Sequence, residues 1–115
     1  MPSASRDPRI VLAEIEEAAA KILAFTHGLT RDEAFADAMR LDAVLHNLHV
    51  LGEAVKSLPE DIRSRRADIP WREIAGMRDV IAHAYFALDL GIVWDAIERD
   101  LPDLLAAVRN LLQRA

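Results

Sequence analysis

Apolar residues recur at three- and four-residue steps in successive stretches of this chain, and no segment alternates apolar with polar at a period of two. Steps of three and four place side chains on one face of an α-helix, so the pattern predicts an all-α fold. The first stripe, Leu12, Ile15, Ala19, Ile22 and Leu23, starts from about Asp7, with Glu14, Glu16, Glu17 and Lys21 between its apolar positions. Gly28 is placed to end that helix. Thr30 and Glu33 then have capping-box spacing and predict a brief second helix. A third stripe, Leu41, Val44, Leu45, Leu48, Leu51, Val55 and Leu58, runs until Pro59, which cannot continue the hydrogen-bond ladder. Glu60 to Arg66 reads as a short helical turn. Pro70 suits the first position of the next helix. The last stripe runs Leu90, Val93, Trp94, Ile97, Leu101, Leu104, Val108 and Leu111, with Asp89 as its cap and Pro102 predicting a kink or a restart after Asp100.

There is no internal repeat and no low-complexity tract. The pattern therefore predicts one domain over residues 1–115, an antiparallel, up-down bundle of four main helices with short accessory helices. At 115 residues and 52% hydrophobic composition, a bundle buries only part of the apolar surface it carries. What remains can form a subunit interface, so a homodimer is expected.

Composition narrows the chemistry. With no cysteine, disulfides, thiolate nucleophiles and zinc–thiolate sites are excluded. The N-terminal residues lack the apolar core of a signal peptide and no run is apolar enough to span a bilayer, so a cytoplasmic protein is expected. A net charge of −5 disfavours coating of long nucleic acids, whose affinity comes largely from Lys and Arg neutralising phosphates. A short contact is still allowed, because Arg63, Arg65, Arg66, Arg72 and Arg78 face only Asp68 and Glu73 over the same stretch. The first three arginines read more simply as a solvated face.

The chemistry-bearing residues cluster in Arg78-Asp79-Val80-Ile81-Ala82-His83-Ala84-Tyr85. On one straight helix residues five apart point about 140° away from each other, so Arg78 and His83 do not converge within a single copy. Asp79 and His83 share a face, four apart, and a carboxylate there can fix the tautomer of the imidazole and raise its basicity. Arg78 and Tyr85 share another. A two-fold contact between copies of this helix would gather two arginines and two histidines around one cleft. Such a cleft suits phosphodiester cleavage without a metal, with His83 taking a proton from a ribose 2′-hydroxyl and Arg78 stabilising charge on the phosphoryl oxygens. On spacing alone the simpler reading stands ahead: a surface arginine and a histidine held by Asp79.

Other polar residues admit two readings. His46, His49 and Glu53 have one-face spacing that can bind a metal, but no H-E-x-x-H pattern accompanies them, and no metal site is assigned. They line a polar face or an RNA cleft, with Arg72 a further candidate contact. Gly52 costs its helix about 1 kcal/mol relative to alanine, which implies a close approach there, first of all helix packing near the motif. Glu53 beside it is placed either to pair with an active-site arginine or to face solvent. Trp71 and Trp94 read as core or interface anchors, and His27 as a helix-end residue favoured by the dipole.

The segment Trp71-Arg-Glu-Ile-Ala-Gly76-Met-Arg78-Asp-Val-Ile-Ala-His83-Ala-Tyr85-Phe, followed by Ala-Leu-Asp89-Leu-Gly-Ile-Val-Trp94 and Asp100-Leu-Pro102, resembles the HepT-type branch of the HEPN superfamily. Leu41-Asp-Ala-Val44 and Leu51-Gly-Glu-Ala54 resemble its second long helix, so the likeness spans nearly the whole chain. It implies a dimerising helical bundle that is a metal-independent endoribonuclease, the toxin of a toxin–antitoxin pair, with a minimal nucleotidyltransferase as antitoxin partner. Arg78 and His83 fall on the catalytic positions of the family's R-x-x-x-x-H motif, and Asp79 on the polar residue after the arginine. Tyr85 falls on the tyrosine to which the partner attaches AMP from ATP; the chain itself is expected to need no cofactor. The resemblance leaves room for a second class, a non-catalytic HEPN module that presents a nucleotide or substrate to a transferase.

Overall fold

The structure, a computed structural model, describes residues 6–84 and 87–114. Among the described residues there are helices and turns and no strand. Helix α1 spans Pro8–Thr26; the carboxylate of Asp7 accepts from Arg9 N at 2.9 Å, and Pro8, which has no N–H to leave unpaired, occupies the first turn. Its buried face is Val11, Leu12, Ile15, Ala18, Ala19 and Ile22. Past the end of α1, Gly28 takes φ 74°, the left-handed conformation that a Cβ disfavours. Helix α2 (Arg31–Ala36) carries the expected capping box: Thr30 Oγ accepts from Glu33 N at 3.2 Å, and Glu33 Oε1 accepts from Thr30 N at 2.9 Å.

Helix α3 (Ala38–Ser57) is capped by Asp37 and buries Val44, Leu45, Leu48, Leu51 and Val55. It stops because Pro59 forces the preceding Leu58 into an extended conformation, ψ 130°, from which Leu58 still turns into the core. Helix α4 (Glu60–Arg63) passes into a 3₁₀ turn over Ser64–Arg66. The indole N–H of Trp71 donates to the carbonyls of Arg63 (3.1 Å) and Arg66 (2.9 Å), locking that turn onto the start of helix α5, Trp71–Ala84. Pro70 stands one position outside its expected place, its carbonyl accepting the first helical bond, from Ile74 N. The buried edge of α5 is Trp71, Ile74, Met77 and Ile81.

The last stripe carries the expected irregularity ahead of Pro102. Helix α6 (Leu90–Asp95) is capped by the Asp89 carboxylate. It widens into a π turn over Ala96–Asp100, where Leu101 N–H donates to Ala96 O, and runs on as helix α7, Leu101–Arg114. Proline lacks an N–H and crowds the carbonyl four residues back, here that of Glu98; the wider turn ahead of it relieves both.

The main elements pack in the order α5, α3, α1, α7 around one continuous core, with α3 central against both α1 and α5. Trp94 closes the α2 corner by an edge-on contact with Phe35, centroids 5.5 Å apart. No helix among the described residues is long and apolar enough to cross a membrane.

Asp100, at the end of the π turn, has its carboxyl pushed above the usual range by burial and then by Glu73 and Asp103, against the opposing pull of Arg99. A carboxyl whose folded pKa exceeds its unfolded one destabilises the fold once ionised, and that penalty fades as pH falls through the folded pKa. Asp100→Asn should therefore raise the thermal unfolding midpoint at pH 7, with the gain shrinking in scans taken toward pH 4. A gain that is constant across pH would contradict the assignment.

Candidate active site

The site forms where α5 crosses α3. A Cβ built on Gly52 would lie 2.7 Å from Arg78 Cβ and 3.2 Å from both Ala75 O and Arg78 N. The two backbones meet at a distance only glycine allows, so the close approach expected from Gly52 is at the motif itself. From that crossing the Arg78 side chain runs past the next residue of α3. Glu53 Oε1 lies 2.5 Å from Arg78 Nε, and Asp79 Oδ1 lies 2.9 Å from Arg78 Nη1. The Nε atom is buried and its N–H makes no aligned hydrogen bond, so the Glu53 contact is an ion pair more than a directed bond.

One guanidinium thus faces two carboxylates. The hydrogen bond to Asp79, then the charge of Glu53, hold the Arg78 pKa above its ordinary value. The same hydrogen bond holds the Asp79 carboxyl below the usual range, with Lys56, Arg78 and His83 adding in the same direction and burial opposing. Lys56 escaped the sequence reading, although residues one and four after a glycine-marked crossing share a flank of α3.

His83 is exposed, and its Nδ1 lies 2.8 Å from the backbone carbonyl of Asp79. A carbonyl can only accept, so Nδ1 carries the proton, and in the neutral ring Nε2 keeps its lone pair. This corrects the expected carboxylate–imidazole pair. The Asp79 carboxylate is taken by the adjacent guanidinium, a charge-assisted bond about twice as strong as a neutral one, and the ring settles on the second lone pair of the carbonyl one turn back. Arg78 and His83 stand on one α-helix and, at five residues' spacing, diverge as expected.

His49 and Glu53 line one groove with His46, Asn47 and Lys21, of about 480 Å³, between α1 and α3. Glu53 joins this groove to Arg78. Arg72 is not part of it: it lines a separate hollow with Arg63, Trp71 and Glu73. Arg63 and Arg66 are engaged by Glu60 and Asp68, each at 2.9 Å. Among the described residues no three His, Asp or Glu side chains are grouped to hold a metal ion. Tyr85 lies outside the described residues.

A sequence profile described as "Ribonuclease HepT-like" matches residues 15–111. The chain belongs to the HepT-like ribonuclease family. It is 36% identical over 92% of its length to the "Probable ribonuclease HepT" of Thermococcus cleftensis, covering 96% of that protein. It is 33% identical over 95% of its length to a "Putative RNase" of Caldanaerobacter subterraneus subsp. tengcongensis, covering 97% of it. A longer Methanocaldococcus jannaschii protein named "Gamma-glutamylcyclotransferase and putative RNase" is 34% identical over 94% of this chain, which spans 49% of that relative. No solved structure gives a significant match.

In this HepT-like chain, Gly52→Ala sets two effects against each other: overpacking, about 1–3 kcal/mol, and the better helix propensity of alanine, about 1 kcal/mol. A net loss of up to about 2 kcal/mol is expected in chemical denaturation. A variant as stable as the parent would show that the crossing relaxes freely.

Proposed function

We propose that this chain is a metal-independent endoribonuclease, the toxin of a toxin–antitoxin pair, cleaving RNA as a cytoplasmic homodimer. The observation that carries the reading is the His83 ring, with Nδ1 tied to a backbone carbonyl and Nε2 without a partner among the described residues, on an exposed face of α5. In the proposed reaction Nε2 accepts the proton of a ribose 2′-hydroxyl. The freed oxygen attacks the adjacent phosphorus, and the bond from phosphorus to the 5′-oxygen breaks as that oxygen takes a proton from an acid, which the second His83 of a dimer can supply. Arg78 stabilises the charge on the phosphoryl oxygens. The family membership and the ribonuclease names of the relatives support the substrate class.

A second copy is part of the proposal because Arg78 and His83 diverge on their helix. Support comes from Val80, 44% exposed and three residues from His83 on the same outward face, and from α5 packing chiefly against α3. Control of the toxin is proposed to act through Tyr85, modified with AMP from ATP by a nucleotidyltransferase antitoxin. Phosphates placed near Arg78 would give it a permanent anionic partner and exclude RNA.

Incubating the purified chain with RNA in the presence of chelator tests the reading. Wild type should cleave; His83→Ala should be slower by roughly 10²-fold or more, and Arg78→Ala by about 10²–10³-fold. Cleavage that needs a divalent ion, or that survives His83→Ala undiminished, would overturn it. Intact RNA with every preparation would instead favour a non-catalytic module serving a transferase. Separately, co-expression with a nucleotidyltransferase should add one or more AMP masses to the chain, lost in Tyr85→Phe, and should silence the wild type.

A further inference from the structure

We infer that Glu53 is the positioning residue for the Arg78 guanidinium, an inference that rests on the ribonuclease reading of the same site. A guanidinium offers its donors along two edges, one made by Nε and one Nη, the other by the two Nη groups. Glu53 occupies the buried Nε, and Asp79 takes one donor of Nη1. The outward donors are therefore those of the Nη end, so a phosphoryl oxygen meets Arg78 from one direction only.

The two carboxylates are not equivalent. Asp79 neighbours Arg78 on the same helix and moves with it, whereas Glu53 stands on α3, whose distance from α5 is set at Gly52, the residue before it. Of the two, only Glu53 ties the end of a long, rotatable side chain to the frame of the bundle. Anchoring of this kind acts on the reaction by removing misaligned arrangements, and misplacement on the scale of 1 Å costs on the order of 10²-fold in rate. The same carboxylate opposes the approach of RNA, because it adds negative charge beside the phosphate site.

These two effects act on different constants. Glu53→Gln keeps the shape and removes the charge; kcat should fall roughly 10- to 100-fold while KM for RNA stays level or decreases. Loss of fold alone would lower the active fraction without tightening KM, and the unfolding midpoint reports it directly. Glu98→Gln, an exposed charge elsewhere on the surface, should leave both constants unchanged. A Glu53→Gln protein that cleaves as fast as wild type, or faster, overturns the inference.

A second readout does not depend on RNA. In the ¹⁵N-labelled full chain the Arg78 Nε–H signal, identified by its loss in Arg78→Lys, should be displaced from the free-arginine position and slow to exchange. In Glu53→Gln it should collapse onto the free-arginine position. A wild-type signal already at that position, or one indifferent to the substitution, overturns the anchoring. If wild type cleaves no RNA, the ribonuclease reading falls, and this spectrum alone upholds or overturns the anchoring.

Discussion

The contact of α3 with α5 at Gly52 sets the geometry of everything around it. A glycine inside a helix costs about 1 kcal/mol relative to alanine, and here it admits the backbone of Arg78 to within reach of α3. The approach lets Trp71, Ile74, Met77 and Ile81 join the common core. It also sets the base of the Arg78 side chain against the helix that carries Glu53 and Lys56. A single missing methyl group thus links core packing to the placement of the site's charges.

That link bears on the proposed contact of Arg78 with RNA. The net charge is −5, and Arg78 itself is met by two carboxylates. In the proposed ribonuclease, attraction of RNA by the bulk field would therefore be weak, and recognition would have to come from short-range contact at the guanidinium. Of the remaining arginines of the basic stretch, Arg63 and Arg66 are held by Glu60 and Asp68, Arg72 lines another hollow, and Arg65 lines a third with Leu111 and Arg114.

Most of the fold was legible because its determinants are local. The Thr30–Glu33 box, the Asp89 cap and the left-handed Gly28 each depend on a few neighbouring residues, and the helical stripes on simple spacing. Even Gly52 was legible as a place where something had to come close. What was not legible required choosing between competing partners. Asp79 has both Arg78 and His83 within reach, and spacing cannot say that the guanidinium takes the carboxylate while the imidazole takes the carbonyl. Pro102 is a similar case: a break and a widened turn both relieve it, and the buried Ile97 and Leu101 ahead of it keep the chain on the core through the latter.

The bond from His83 Nδ1 to the Asp79 carbonyl makes the ring one-sided in its dealings with protons. A carboxylate partner would change its own charge with pH and pull on the imidazole as it did so; a peptide carbonyl does neither. The ring can gain and lose a proton at Nε2 without rotating, switching tautomer or releasing its anchor. A base that has just accepted a proton is then already an acid in the same place. In the proposed dimer, two such rings facing one RNA strand would be interchangeable, their order of action set by which ribose lies beneath each and not by any difference built into the protein.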